Sequence, residues 1–330
     1  MTEITEIWQK GQKLLGSKYA ILGGAMSWVS EHNLVAAISN AGGFGVLACG
    51  SMNAEQLQRE IIATQKLTSS PFGVNLITMH PELDKLIETC KQNNISHVVL
   101  AGGLPKAYMI EALKQSDIKV IAFAPALVIA KKLIKMGVDG IVIEGMEAGG
   151  HIGPVSTIVL AQEILPILKD EVPIFVAGGI GRGEVIASFL KMGAAGCQLG
   201  TRFVCAHESI AHANFKDIFM RSQARDTTVS VQLDPNFTVI PVRAIANKGT
   251  QEFNKIQKQA IDEYNNGNLS KEEAQLVIEK HWAGALRRAV IDGDIEFGSV
   301  MAGQSVGMVS KVQLVAEIID ELVTQTYSAY

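Results

Sequence analysis

A chain of 330 residues with 48% hydrophobic and 19% charged residues has the apolar content for one large barrel or two ordinary domains, and it is too apolar to be disordered. A formal net charge of −4 leaves no electrostatic case for nucleic-acid binding, which needs a basic face. Four cysteines without paired short spacing (Cys49, Cys90, Cys197, Cys205) argue against a zinc ribbon and a disulfide framework.

Free thiols predict a reducing cytoplasm. The N-terminus, Met1-Thr-Glu-Ile-Thr-Glu-Ile7, lacks the basic-then-apolar pattern of a leader. No uncharged apolar run approaches the roughly 18 residues of a spanning helix. The expectation is a soluble, cytoplasmic protein that engages no membrane.

Residues 3–15 predict a short amphipathic helix, with Ile4, Ile7, Trp8, Leu14 and Leu15 apolar, placed to cover the bottom of a barrel. From Tyr19 a unit repeats: a short apolar strand, a glycine-rich or polar turn, then a helix with apolar residues three and four apart. The predicted strands are Ala20–Leu22, Gly45–Ala48, Phe72–Leu76, His97–Leu100, Val120–Phe123, Gly140–Ile143, Ile174–Ala177 and Gly196–Leu199. Helices are predicted near 31–41, 53–67, 81–93, 105–115, 126–136, 156–169 and 183–192. Strict alternation implies a parallel sheet with right-handed crossovers. Eight units favour an α/β fold closed into a (β/α)8 TIM barrel. The competing Rossmann sheet lacks its G-x-G-x-x-G fingerprint.

Beyond Gly200 the pattern changes. Residues 205–224 predict a helix carrying His207 and His212, followed by an extended, Pro-bearing stretch, Thr227–Val242. A charged, mostly helical region, Gln251–Arg288, comes next, and the chain returns through Gly298–Gln304 to a last helix near 311–326. The expected organisation is a barrel of residues 1–205 and 298–330, with 206–297 forming a smaller, mostly helical cap over its mouth.

The unusual residues sit in the turns after the strands: Gly23-Gly24-Ala25-Met26, Asn75, Gly102-Gly103, Glu144–Gly153, Gly178-Gly179-Ile180 and Gly200-Thr201. A barrel gathers these turns at its C-terminal face, where active sites lie. That gathering predicts an enzyme. The turns after the seventh and eighth strands suit a phosphate held by backbone N–H groups, with Thr201 adding a hydroxyl. Asn75 offers donor and acceptor together, though an Asn ending a strand is more often a turn residue. His151 stands among glycines after the sixth strand, beside Glu147, and an imidazole there can move a proton near neutral pH. His32, His80, His97 and His281 read as structural, and His207 and His212 are badly spaced for a metal. Cys197 and Cys205 read as packing thiols.

The stretch Glu144-Gly-Met-Glu-Ala-Gly-Gly-His-Ile-Gly153, with Gly200-Thr-Arg-Phe203 and Gly298-Ser-Val-Met-Ala-Gly-Gln304, resembles the flavin-dependent enoyl-ACP reductase II and nitronate monooxygenase (2-nitropropane dioxygenase) family, and the similarity runs from about Tyr19 to Ser310. The resemblance implies FMN as cofactor, with Gly178, Gly179, Gln198, Leu199, Gly200 and Thr201 around its phosphate tail. It implies flavin contacts for Asn75, Glu144 and Gly149, and a flavin face lined by Gly24, Ala25 and Met26. Gly23 replaces a family Gln in that turn, which removes one side-chain contact. Many nitronate monooxygenases carry Gln where this chain has Glu144, so this residue favours the reductase. The implied reaction is NADH- or NADPH-dependent reduction of a trans-2-enoyl thioester on acyl carrier protein, in fatty acid synthesis. Oxidation of an alkyl nitronate with O2 is the alternative. A quinone reductase and a flavin-free, phosphate-binding lyase or isomerase are lesser ones. His151 is the catalytic residue in either leading reading. The partners implied are a small-molecule or carrier-bound substrate, with a homodimer admitted and no metal. Arg221, Arg225, Arg243, Lys248, Arg287 and Arg288 are candidates for a basic rim facing an acidic carrier protein.

Overall fold

Short β-branched runs bounded by glycine bury both faces when helices cover a parallel sheet. The computed structural model describes residues 8–330 and contains an eight-stranded sheet of this kind. Its strands are β1 (Ile21–Gly23), β2 (Gly45–Ala48), β3 (Phe72–Ile77), β4 (His97–Ala101), β5 (Lys119–Phe123), β6 (Gly140–Glu144), β8 (Ile174–Ala177) and β9 (Gly196–Leu199). A two-residue strand, β7 (Gly150–His151), falls between β6 and β8 in sequence but joins another sheet.

The strand order is β1-β9-β8-β6-β5-β4-β3-β2, with every pairing parallel. The circle closes between β1 and the residue before β2. Leu22 bridges Phe44, Gly23 N–H donates to the Phe44 carbonyl (2.9 Å), and Phe44 N–H donates to the Ile21 carbonyl (2.8 Å). The fold is a (β/α)8 barrel. The first strand lies one residue later than its predicted span, although the Ala20 carbonyl still accepts from Cys197 N–H.

Helices α1 (Gln9–Leu15), α2 (His32–Asn40), α3 (Ala54–Leu67), α4 (Leu83–Gln92), α5 (Ala107–Lys114), α6 (Leu127–Lys135), α7 (Thr157–Leu168) and α8 (Gly183–Lys191) follow the predicted alternation. Of the helix predicted over 3–15, Ile4 and Ile7 lie outside the described residues. The rest is α1, closed by Gly16 in the left-handed region (φ 69°). This helix plugs the bottom. The Leu14 carbonyl lies 2.8 Å from Nε2 of His97, the first residue of β4, and Trp8 and Leu15 are fully buried.

After β9 the chain makes one short turn of helix, α9 (Thr201–Val204), and leaves the barrel. The helix expected over 205–224 is only α10 (Ala213–Arg221). Lys216 Nζ donates to the carbonyls of Ala206 and Ser209, both at 2.7 Å, and stitches the preceding residues into a turn. His212 Nδ1 caps the helix by accepting from Asn214 N–H (3.1 Å), so His207 and His212 share no helix. The Pro-bearing stretch runs between β10 (Thr227–Val229) and β11 (Val242–Ile245), which form an antiparallel sheet in the order β10-β11-β7. Helices α11 (Lys248–Asn265) and α12 (Lys271–Val290) follow, each opened by a capping box, Asn247 with Thr250 and Ser270 with Glu273.

The last helix, α13 (Val315–Ala329), begins a few residues later than predicted and packs against α8 and α2. Gly183 N–H donates to Gln325 Oε1 (2.8 Å) and Thr326 Oγ1 to the Gly183 carbonyl (3.2 Å). It is the eighth helix of the barrel, and the excursion between β9 and α13 is an insertion ahead of it. That excursion has its own core of Phe237, Val242, Phe253, Ile278 and Trp282. Phe215, Phe219, Leu286 and Val290 from the same stretch pack into the barrel's cluster instead. Among the described residues no helix is long and apolar enough to cross a membrane.

Candidate active site

The turns at the C-terminal ends of the strands enclose a cavity of about 770 Å³. Every predicted site residue lines it: Gly24, Ala25, Met26, Asn75, Glu144, Gly149, His151, Gly178, Gly179, Gln198, Leu199, Gly200 and Thr201. Turns far apart in sequence converge because parallel strands all end on the same face.

Three polar side chains come from the strands themselves: Asn75 lies within β3, two residues short of its end and not in the turn after it, Gln198 is next to last in β9, and Glu144 closes β6. On β3, Asn75 Nδ2 donates to the Val99 carbonyl (3.0 Å), which fixes the amide and leaves Oδ1 without a partner among the described residues. On β9, Gln198 is buried beside Gly24 and its amide has no hydrogen bond among the described residues. Glu144 ends β6 opposite Ala177 of β8, and no described group hydrogen-bonds its carboxyl. Burial pushes its pKa up to about 8, so near neutral pH it is mostly a neutral acid able to donate a hydrogen bond.

The two glycine turns meet where β8 and β9 pair, with Ala177 beside Gln198. Gly178 and Gly179 hold φ of 98° and 70°, a pair of left-handed residues that a side chain would strain. Thr201 Oγ1 accepts from Gly303 N–H (3.0 Å) and keeps its own proton for a second bond. Gly303 and Met301 of the returning segment line the cavity, as does Ser305, whereas Ser299 and Ala302 are buried behind it.

The loop carrying His151 is tied on all sides. Gly145 N–H donates to the Ala177 carbonyl (3.1 Å) and Met146 N–H to the Val155 carbonyl (2.8 Å). Glu147, the expected neighbour of His151, is engaged elsewhere: Thr157 donates to its carboxylate through N–H (2.9 Å) and hydroxyl (2.8 Å) at the start of α7. Gly149 lets the returning segment pass, because a Cβ there would lie 2.5 Å from the Gly303 nitrogen. Beyond it, β7 pairs with β11, placing His151 beside Val242 and Gly150 beside Arg243. The carboxylate that His151 does meet is Glu279 of α12, 3.0 Å from its Nε2.

Arg243 belongs to no rim. It is buried, its Nε donates to the Met146 carbonyl (2.9 Å), and its guanidinium reaches Thr227 Oγ1 (3.1 Å). Burial pushes its pKa down, with Glu147 opposing that shift. Four others of the expected rim are paired, Arg221 with Asp217, Lys248 with Glu296, Arg287 with Asp292 and Arg288 with Asp294, whereas Arg225 has no ion pair among the described residues.

The insertion supplies wall residues that sequence reasoning missed, namely Ile240, Leu276, Glu279, Lys280 and Trp282. Ile240 and Leu276 are exposed, as are Met79 and Leu104 from the barrel turns, so the mouth carries an apolar rim. Trp28 also lines the cavity, at φ 67°, an unusual conformation for a bulky residue. The Arg287 guanidinium of α12 lies 5.8 Å from the centre of its ring. The insertion residues reach the site through long-range packing, which no local signal marks, whereas Trp28, Met79 and Leu104 lie just beyond the ends of β1, β3 and β4. All four cysteines are buried, and burial pushes the thiols of Cys49 and Cys205 up to about 12, so neither is a ready nucleophile.

Residues 9–94 and 79–325 match the family model described as nitronate monooxygenase. A hydroxy-methyl-oxo-octahydroindene-carboxyl-CoA dehydrogenase of Rhodococcus jostii is 27% identical across 94% of this chain and 93% of its own. A probable nitronate monooxygenase of Staphylococcus aureus is 28% identical across 91% and 92%. Among solved structures, FabK from Thermotoga maritima superposes with a TM-score of 0.84 at 32% identity, over 96% of this chain and 95% of that one. A nitroalkane oxidase from Streptomyces ansochromogenes, at 24% identity and TM-score 0.78 over 96% and 98%, shares the fold.

Proposed function

The chain belongs to the nitronate monooxygenase family and is an oxidoreductase, and from that premise we propose that it is an FMN-dependent reductase of trans-2-enoyl thioesters drawing electrons from NADH or NADPH. The observation that carries the reading is the convergence of His151 with Asn75, Glu144 and Gln198 in one cavity with an apolar mouth. The kinship to FabK, an enoyl-ACP reductase II, supports it, and the Rhodococcus relative is named for another thioester. Carriage of the substrate on acyl carrier protein or coenzyme A belongs to the same proposal, with exposed Lys280 the cation at the mouth.

The residues present fit FMN. Backbone N–H groups of Gly179, Gly200 and Thr201 and the Thr201 hydroxyl would take the phosphate. Asn75 Oδ1, the Gln198 amide and the neutral Glu144 carboxyl are buried or half-buried groups that await partners, as the polar edge of an isoalloxazine would supply. Bound FMN supplies hydride transfer, the step no side chain can perform. The protein's share is orientation, exclusion of water and one proton. His151 gives that proton to the α-carbon, or polarises the thioester carbonyl. The apolar rim of Met79, Leu104, Ile240 and Leu276 receives the acyl chain.

A second reading, nitronate monooxygenase, rests on the family model and the staphylococcal relatives. There His151 acts on the nitroalkyl group as base or anion-binding residue. The test is anaerobic mixing of the flavin-loaded protein with NADH, then NADPH. Bleaching of the visible flavin band that a crotonyl or longer enoyl thioester reverses supports the reductase. Bleaching by a nitronate, with none by either nucleotide, establishes the second reading.

A further inference from the structure

His151 is held from two directions by elements that do not belong to the same part of the chain. Its backbone is fixed in β7 by pairing with Val242 of the insertion. Its ring meets Glu279 of α12, with Nε2 and Oε2 3.0 Å apart and both residues on the cavity wall. The helix carrying Glu279 is itself anchored, because Ile278 and Trp282 on either side are buried in the insertion's core. Glu147, the nearest carboxylate in sequence, is already committed to Thr157. No other carboxylate pairs with His151 among the described residues.

A neutral imidazole has one N–H and one lone pair, and the tautomer follows the bond made by the other nitrogen. A carboxylate accepts only, so its partner nitrogen must carry the proton. We propose that Glu279 is a positioning residue that keeps a proton on Nε2 of His151, so that Nδ1 is the nitrogen that meets the substrate: the imidazolium gives its Nδ1 proton to the α-carbon and is left as the neutral Nε2–H ring that Glu279 holds. The inference rests on the proton-handling role given to His151 above. It makes the insertion part of the chemistry: the proton donor comes from the barrel loop and its orienting group from α12. The arrangement follows the logic by which a buried carboxylate orients a catalytic histidine, with the two ring nitrogens exchanged. Lys280, next along the helix, is the cation nearest the pair in sequence, while Arg243 is held on the far side of the loop by Met146 and Thr227.

The experiment uses the flavin-loaded protein and four variants, E279A, E279Q, E279D and H151A. Imidazole ¹⁵N resonances, assigned by the signal lost in H151A, report the His151 tautomer without turnover. Expected are an Nε2–H tautomer in the parent and in E279Q, whose amide oxygen still accepts, and a shift toward a mixture in E279A. E279A should lower kcat about 10- to 100-fold with KM within about twofold, and E279D should restore part of the loss. A parental tautomer or parental kcat in E279A, with H151A inactive, overturns the proposal. If H151A is itself fully active, the failure is that of the proton-handling role, and a shifted tautomer in E279A would then show positioning without catalysis.

Discussion

Arg243 Nε donates to the Met146 carbonyl at 2.9 Å, and this bond joins the insertion to the glycine-rich loop after β6. A buried guanidinium is costly unless its donors are used. Its loss strands the Met146 carbonyl and removes the donor to the Thr227 hydroxyl, which keeps its own bond to the Ala224 carbonyl (2.9 Å). Arg243→Met should therefore destabilise the protein by about 2–4 kcal/mol, and Arg243→Lys should restore little, because a point charge cannot reach both acceptors. Chemical denaturation of the three proteins measures it; equal midpoints would make the contact dispensable.

His151→Ala is expected to keep its flavin and lose about 10²-fold or more in turnover, the usual contribution of a positioned acid–base group. The flavin spectrum and steady-state rates on one preparation separate the two. Full activity would remove His151 from the mechanism.

At Gly179, φ of 70° and a Glu147 Cβ 3.0 Å from any added Cβ leave no room for a branched side chain. Gly179→Val should cost about 1–3 kcal/mol locally and lower the flavin-to-protein ratio after purification. An unchanged ratio places the phosphate elsewhere.

Glu144 gives a pH signature. Its folded pKa, up to about 8, stands above the unfolded value of 4.5, so the folded state binds the extra proton between those limits. Its contribution to stability is complete below pH 4.5 and is lost as pH rises through 8. Flavin-free Glu144→Gln, which has no proton to lose, should overtake the parent as pH rises. The gap in Tm should reach on the order of a few degrees by pH 8. Parallel melting curves across that range would mean that Glu144 is ionised in the folded protein.

The barrel was legible because its signals are local. Gly140–Ile143 is short, apolar and bounded, and each neighbouring strand repeats that pattern. The strand-end residues followed from topology alone, since any polar group after a parallel strand reaches the same face. What escaped depended on distance. The turn before α10 depends on Lys216 reaching back to Ala206 and Ser209, and the spacing of apolar residues carries no trace of it. Glu279 looks like any solvated glutamate on a charged helix until α12 is laid across the cavity. Arg243 resembles a surface charge until the pairing of β11 with β7 turns it inward.

That same pairing bears on how such enzymes can be rebuilt. Because Gly150 and His151 form one edge of a three-stranded sheet whose other strands come from the insertion, the border between the two parts runs through the glycine-rich loop after β6. A chimera cut at the ends of the insertion would split backbone hydrogen bonds at the histidine itself. Exchange of the insertion among relatives would therefore have to carry the ten residues from Glu144 to Gly153 with it. On the proposed role of His151, the insertion's share of the cavity wall and the proton transfer would be inherited as a single unit.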